Sequence, residues 1–336
     1  MQTKQEIALK YVKKYLPRKG IGKQTIAKML CKDYPQEFYN VEQARTMVRA
    51  VTGAKGKRER DILHRNHEVD PEQQYEPIDF PKTLAEDSKF DDYYLKDVSR
   101  MLILSDVHVP YQDDLAWSVA LRYMDDHKNK IDTVLLNGDF LDFYQLGYWT
   151  RDPAKMRFKG ELEIGKEFLQ KLRKRYPNHR IIYKEGNHEE RLKMYLWRNA
   201  PEISELDNLH FEEIVELARN GIEYIGNKRT IRYGNLSILH GHEYRRSLYN
   251  PVNSARGIFL KAIANTLIGH FHNSSFHPAK TLDGRRIGCW STGCLCSLKP
   301  DYDPKCTWNH GFADVSIESN GNFSVRNFQI LNGKVV

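Results

Sequence analysis

From residue 100 onward the chain repeats one arrangement five times: a short apolar run, then a cluster of aspartate, histidine or asparagine. Met101-Leu-Ile-Leu104 leads into Ser-Asp106-Val-His108, and Thr133-Val-Leu-Leu136 into Asn-Gly-Asp139-Phe-Leu-Asp142. Arg180-Ile-Ile-Tyr183 leads into Lys-Glu-Gly-Asn187-His188-Glu189, Leu236-Ser-Ile-Leu239 into His240-Gly-His242, and Asn265-Thr-Leu-Ile268 into Gly-His270-Phe-His272. Apolar runs this short read as buried strands. Helical patterns over 114–127 and 160–175 separate some of them, and Arg286-Ile-Gly-Cys-Trp290 adds another run. Residues 311–336 alternate around Asn320-Gly-Asn and read as a hairpin. The expectation is an α/β sheet with some antiparallel strands, built as a layered sandwich. In such sheets ligands bind beyond the carboxyl ends of the strands, where all five clusters fall.

Carboxylates, imidazoles and an amide oxygen together suit divalent ions such as Mn²⁺, Fe²⁺ or Zn²⁺. Asp106 and His108 lie two apart, as do His270 and His272, so on continuing strands each pair would share a face. Asp139 is the natural bridge, because a carboxylate has two oxygens. Two cations about 3.5–4 Å apart can share a water, lower its pKa and aim it at phosphorus. A lone histidine at a strand end is usually hydrogen-bonded structure, and a lone aspartate there is usually a cap or turn residue. Five such clusters together are not explained that way.

The set Asp106-x-His108, Gly138-Asp139-x-x-Asp142, Gly186-Asn187-His188-Glu189, His240-Gly241-His242 and Gly269-His270-x-His272 resembles the five motifs of the calcineurin-like metallophosphoesterases, in that family's order. The resemblance covers roughly residues 100–300. It implies an α/β double-sheet sandwich flanked by helices and two divalent ions, with Mn²⁺ first and Fe²⁺, Zn²⁺ or Mg²⁺ as alternatives. One ion would take Asp106, His108, Asp139 and His272; the other Asp139, Asn187, His240 and His270. His188 would face the substrate as acid or phosphoryl-oxygen donor, and Asp142 would hold it charged and oriented. Arg191, His242 and Tyr244 are candidate substrate contacts, and Glu189 reads as structural. Asp142 is followed by Phe143 and Tyr144, not by the arginine that phosphoprotein phosphatases of this superfamily carry there. That argues against a protein-phosphatase reading, although Arg191 could substitute.

The net charge of +8 is placed unevenly. Residues 1–60 hold 15 Lys/Arg against 5 Asp/Glu, a surplus of +10, and the remainder of the chain is at −2. Helical periodicity fits 4–16 (Ile7, Tyr11, Tyr15, Leu16), 23–33 (Ile26, Met29, Leu30) and 41–51 (Val41, Ala44, Val48, Val51), broken at Pro17, Gly20, Pro35 and Gly53. Three short helices with a basic surface resemble a helix-turn-helix module and make nucleic acid the expected partner, against the alternative of a solvated basic face or a protein contact. The division expected is 1–60 as this small all-α module, 61–99 as linker, and 100–336 as the catalytic domain. Pro71, Pro77 and Pro81 mark the connector as extended.

No stretch approaches 18 apolar residues, and no apolar leader follows Met1, so neither membrane nor secretion is expected. Five cysteines, four of them between Cys289 and Cys306, make no disulfide framework and point to the cytoplasm. Their spacing is not a repeated CxxC, so small buried residues are expected rather than a zinc knot. The function expected is hydrolysis of phosphodiester bonds in nucleic acid, with Tyr144, Tyr148 and Trp149 as candidate base-stacking groups. A phosphatase or phosphodiesterase for nucleotides or other small phosphoesters is the alternative. A non-enzymatic binding protein on the same fold is disfavoured, because every ligand position is present.

Overall fold

The computed structural model describes residues 3–53, 90–244, 252–301 and 303–336. The basic run 54–60 and most of the connector, up to residue 89, lie outside the described residues. The chain divides into two compact units, Met1–Glu86 and Asp87–Val336.

In the first unit, α1 (Lys4–Tyr15), α2 (Lys23–Asp33) and α3 (Val41–Val51) follow the periodicity of the sequence. Thr3 and Glu6 form a capping box at the start of α1, and Asn40 caps α3 by accepting from Gln43 N. The core differs from the expected faces on α1 and in part on α2, while Ala44, Val48 and Val51 of α3 are buried as expected. Ala8 and Val12, Ala27, and Ala44 and Val48 are buried with Ile7, Ile26, Leu30 and Phe38. Tyr11 and Tyr15 sit at its margin, Met29 is half-buried outside it, and Val41 is exposed. Small side chains let three short helices approach, and the bulky ones are displaced outward; Tyr11 also keeps its hydroxyl on Asp33 (2.8 Å).

The second unit holds two sheets among the described residues. One has the order β13-β12-β11-β2-β3-β4-β5 and the other β1-β6-β7-β8-β10-β9. Their strands are β1 Tyr93–Tyr94, β2 Arg100–Leu104, β3 Thr133–Asn137, β4 Arg180–Lys184, β5 Glu223–Ile225, β6 Ile231–Tyr233, β7 Leu236–Ile238, β8 Thr266–Ile268, β9 Ser275–Lys280, β10 Arg286–Ser291, β11 His310–Ile317, β12 Phe323–Leu331 and β13 Lys334–Val335. Strands β2, β3, β4 and β5 run parallel, as do β7, β8 and β10. The hairpin expected around Asn320 is β11–β12.

Strand alternation builds four layers. Leu102, Leu104, Val134, Leu136, Ile181 and Tyr183 face the helices Asp114–His127 and Phe158–Arg175. The intervening Met101, Ile103, Leu135 and Ile182 face the second sheet, meeting Ile231, Tyr233, Leu236, Ile238 and Leu267. Behind that sheet, Ile268, Ile287 and Cys289 pack on Ala255 and Ile258 of the helix Ser254–Ala262. This is the double-sheet sandwich flanked by helices. Strands β1, β5 and β6 have two or three residues each, too few for periodicity to mark. Pro278 sits in β9, which is a sheet edge and therefore tolerates a missing donor. Among the described residues no helix is long and apolar enough to cross a membrane.

Candidate metal centre

The carboxyl ends of β2, β3 and β4 in one sheet, and of β7 and β8 in the other, converge on one buried cluster. The backbone there is unusual. Asp106 (φ 56°), His108 (φ 52°), Asp139 (φ 51°), His270 (φ 68°) and His272 (φ 57°) all occupy the left-handed region without being glycine. Each such residue costs on the order of 1–2 kcal/mol. This corrects the expectation of continuing strands: β2 stops at Leu104 and β8 at Ile268. The Asp-x-His and His-x-His pairs converge because left-handed turns fold both members inward.

Asp106 is fully buried; its Oδ2 accepts from His270 N (2.9 Å), while its Oδ1 accepts no hydrogen bond although His272 Nε2 is 3.2 Å away. His108 directs Nδ1 at Asp142 Oδ1 (2.9 Å), and its Nε2 lies 3.2 Å from His272 Nε2. Asp139 Oδ1 accepts from the main-chain N of His188 (2.9 Å). Its Oδ2 is ringed by Nε2 of His240 (3.2 Å), His188 (3.7 Å) and His108 (3.9 Å). His240 donates from Nδ1 to the Asn137 carbonyl (2.8 Å), which turns Nε2 toward Asn187 Oδ1 (3.2 Å). The His270 ring stands 5.1 Å from that of His240. His108 with Asp139 and His188, Asp139 with His240 and His270, and His108 with His272 and Cys296 each bring three donor atoms within 4.8 Å.

This electrostatic arrangement calls for cations. Burial works against charge on His240 and His272, yet Asp139 and Asp106 hold them up to about 10. Burial equally opposes ionisation of Asp139, but His188 and His240 keep it well below the usual carboxylate range. A proton on each imidazole meets these carboxylates, and a divalent ion would meet them in its place. The orphaned Asp106 Oδ1 and the facing Nε2 atoms fit that second occupant.

The remaining expected residues divide. His188 donates from Nδ1 to the Asp142 carbonyl (2.7 Å), with the Asp142 carboxylate at 3.2 Å. That carboxylate is shared with His108, so Asp142 orients two rings rather than one. Arg191 joins the group by donating to the Asp142 carbonyl and to His188 Nε2, both at 2.8 Å. His242 lies 5.3 Å from the His240 ring, but its nitrogens are buried beside Glu190 and Glu243, turned from the cavity. Tyr244 packs on the Leu239–Ile258 cluster, away from the cavity that His108, His188, Arg191 and His272 line.

Glu189 has the structural role expected of it, and Glu243, which sequence reasoning did not single out, has a similar one. Glu189, buried, accepts from the main-chain N of Gly186 (2.8 Å), Asp139 (3.0 Å), Phe140 (3.0 Å) and Leu141 (3.2 Å), and from Tyr183 Oη (2.7 Å). Glu243 accepts from the N–H groups of His240 (3.1 Å) and Gly241 (2.7 Å) and pairs with buried Lys184 (2.9 Å). Cys296 Sγ sits 3.8 Å from His272 Nδ1, behind the face His272 turns to the cluster. Cys296 also meets Cys294, while Cys289 turns to the Ala264 carbonyl and Cys306 to the Leu298 carbonyl, and all five cysteines are free thiols. Gly138 (φ 82°) must be glycine, because a Cβ there would overlap the His240 ring.

Glu189→Ala is expected to destabilise the chain by about 3–5 kcal/mol, because it strands several buried donors at once. Glu189→Gln, which keeps the shape and one acceptor, is expected to lose less. Urea unfolding of both variants is the check; equal midpoints for Glu189→Ala and the parent chain would contradict the role.

Fold and cluster together define a class, the metal-dependent hydrolases of phosphoesters. The sequence model of the calcineurin-like phosphoesterases matches residues 99–304, more than half of the chain, and the chain belongs to that family. No curated protein matches it. Among solved structures, a dimetal phosphatase from Danio rerio is similar over 68% of this chain and 96% of its own, at 11% identity and a TM-score of 0.33. The family implies two divalent ions, and the converging donors described above fit them.

Proposed function

We propose that this chain is a two-metal phosphodiesterase acting on nucleic acid. The observation that carries the reading is the convergence of Asp106, His108, Asp139, Asn187, His240, His270 and His272, with His188 and Arg191 alongside at the wall of an open cavity. In this reading one ion takes Asp106, His108, Asp139 and His272, and the other Asp139, Asn187, His240 and His270; Mn²⁺ suits this mixed oxygen and imidazole set. When bound, such ions neutralise phosphate oxygens and lower the pKa of water beside phosphorus. Asp139 serves both sites, since its Oδ2 faces His240 and His108 alike. Asp142 fixes the tautomer of His108 and the orientation of His188. His188 and Arg191 together meet the phosphoryl oxygens. Arg191 now donates to His188 Nε2, so its turn toward phosphate frees that nitrogen to hold a proton for the leaving oxygen.

The polymer part of the proposal rests on the first unit. Lys10, Lys13, Lys14, Arg18, Lys19, Lys23, Lys28, Lys32, Arg45 and Arg49 are exposed, and Arg45 alone of these has a carboxylate ion pair among the described residues. The α2–α3 connection, 34–40, is longer than the three- to four-residue turn of the tightest helix-turn-helix motifs, so the basic surface supports the reading better than the motif does. Five free thiols suit a reducing cytoplasm.

A Mn²⁺-loaded panel of single-stranded DNA, duplex DNA, RNA, cyclic nucleotides and a phosphopeptide tests the substrate class, with cleavage of a polynucleotide expected. Deleting residues 1–60 is expected to raise KM for the polymer and flatten its salt dependence, because phosphate contacts release counterions. Circular dichroism and metal content check that the remaining unit is folded. Unchanged KM and salt slope would remove nucleic acid as the partner of the first unit, and hydrolysis confined to small phosphoesters would replace the polymer reading.

A further inference from the structure

Beside the cluster lies a cavity of about 710 Å³, walled by His108, His188, Arg191 and His272 on one side and by two loops on the other. The first loop, 144–155, follows the second motif; the second, whose described residues are 296–301 and 303–308, follows β10. They are joined by the Lys155–Asp301 ion pair (2.5 Å). What lines this far side is aromatic and charged, with Arg151, Lys155 and Lys299 set against Asp152 and Asp301. The Trp308 ring stands edge-on to His272 with centroids 4.1 Å apart, so it forms the cavity wall nearest the metal-ligating face. Tyr144 is held in place, its hydroxyl accepting from Asp152 N (2.9 Å). Lys155 lies over the Tyr111 ring at 5.7 Å. At the rim, Trp149 is 80% exposed and leans on Tyr148, itself 74% exposed. Arg151 and Lys299 complete the lining.

Trp149 and Tyr148 together present an exposed aromatic face at the rim of the cavity. A single scissile phosphate would be met by the metal cluster with His188 and Arg191. Lys155 is paired with Asp301, but Arg151 and Lys299 have no carboxylate ion pair among the described residues, so these two match negative charge beyond that phosphate, and the aromatic faces near them match a flat ring. We infer that the cavity is a base-stacking subsite, in which Trp149 and Trp308 hold the nucleobase adjoining the scissile phosphate while Arg151 and Lys299 meet the next phosphate of the strand. This rests on the phosphodiesterase reading above and specifies the unit of substrate that it takes. Stacking of this kind is tolerant of base identity, so the subsite favours a strand without reading its sequence.

The test uses the full-length Mn²⁺-loaded protein and dinucleotides. Thymidylyl-thymidine is compared with two analogues in which the 5′ or the 3′ base is replaced by hydrogen, leaving sugar and phosphodiester unchanged. For one of the two, removal of the base is expected to lower kcat/KM about 10- to 100-fold, as for the loss of one stacked base. Trp149→Ala is expected to shrink that difference about tenfold, and Trp308→Ala gives the same readout from the second loop. A ten-residue oligothymidylate distinguishes a strand from a lone nucleotide: a further gain in kcat/KM that fades with salt comes from the flanking phosphate. Equal cleavage of all three dinucleotides, or a difference untouched by both substitutions, overturns the subsite and leaves the phosphodiesterase standing. A loss in Trp149→Ala and Trp308→Ala confined to p-nitrophenyl phosphate, with every dinucleotide unaffected, would instead make the aromatic walls an aryl-phosphate site. Cleavage of no diester at all overturns the phosphodiesterase reading itself.

Discussion

Asp139→Asn is expected to abolish hydrolysis and to lower bound metal from two ions per chain towards one or none. Asp139 Oδ2 faces imidazoles from both halves, His240 at 3.2 Å and His108 at 3.9 Å, with His188 at 3.7 Å as well, whereas Asp106 Oδ1 has His272 at 3.2 Å and His240 farther off at 4.0 Å. The substitution removes the charge those imidazoles and any ions are arranged around. It also places an amide that can keep the hydrogen bond from His188 N only by turning its NH₂ toward the Nε2 atoms. The fold should survive, because the Asp139 main chain remains held by Glu189. Turnover of bis-p-nitrophenyl phosphate, read alongside circular dichroism, separates loss of chemistry from loss of structure.

His188→Ala is expected to behave differently, keeping both ions but losing about 10²-fold or more in kcat. Its contribution to the cluster is partly main chain: the N–H that binds Asp139 Oδ1 persists in alanine. The side chain points to the cavity, between Asp142 and Arg191. If it supplies a proton to the leaving oxygen, the loss shrinks for p-nitrophenolate esters, which need none. An equal loss on good and poor leaving groups would leave His188 as a phosphate-binding group only. Loss of a metal ion in this variant would instead make it a ligand, an arrangement that its 3.7 Å approach to Asp139 Oδ2 makes worth measuring.

The strands that carry the cluster were legible because each is a short apolar run closed by polar residues, and all five runs named from sequence are strands here. A layered sandwich was expected from these runs, and its two-sheet form from the family resemblance; the alternation that sends one set of side chains to the helices and the other to the second sheet is seen in the structure. The way the ligand pairs turn inward was not legible. Strand periodicity predicts a shared face for Asp106 and His108, whereas both occupy left-handed backbone that no residue pattern announced. Nor was the support of the cluster. Lys184 stands at the end of a buried strand and so required an acid, but nothing along the chain says that the acid is Glu243, 59 residues on. Cys296 and Trp308 reach His272 only because β10 and the loop after it return to the same sheet edge. Tyr244 follows the fourth motif closely, yet the turn after His242 sends its ring into the apolar layer under the helix Ser254–Ala262. Sequence proximity to a motif placed a residue in the neighbourhood without deciding which way it faces.

The central claim is that these seven donors hold two divalent ions that the chain needs for phosphoester hydrolysis. Elemental analysis of the protein stripped of metal and re-equilibrated with Mn²⁺, paired with bis-p-nitrophenyl phosphate turnover at each added equivalent, tests it most directly. The account predicts two ions per chain, activity that appears only as the second equivalent binds, and neither in Asp139→Asn. A chain that binds no Mn²⁺, Fe²⁺ or Zn²⁺ at the cluster, or that hydrolyses the diester equally well after chelation, would contradict it.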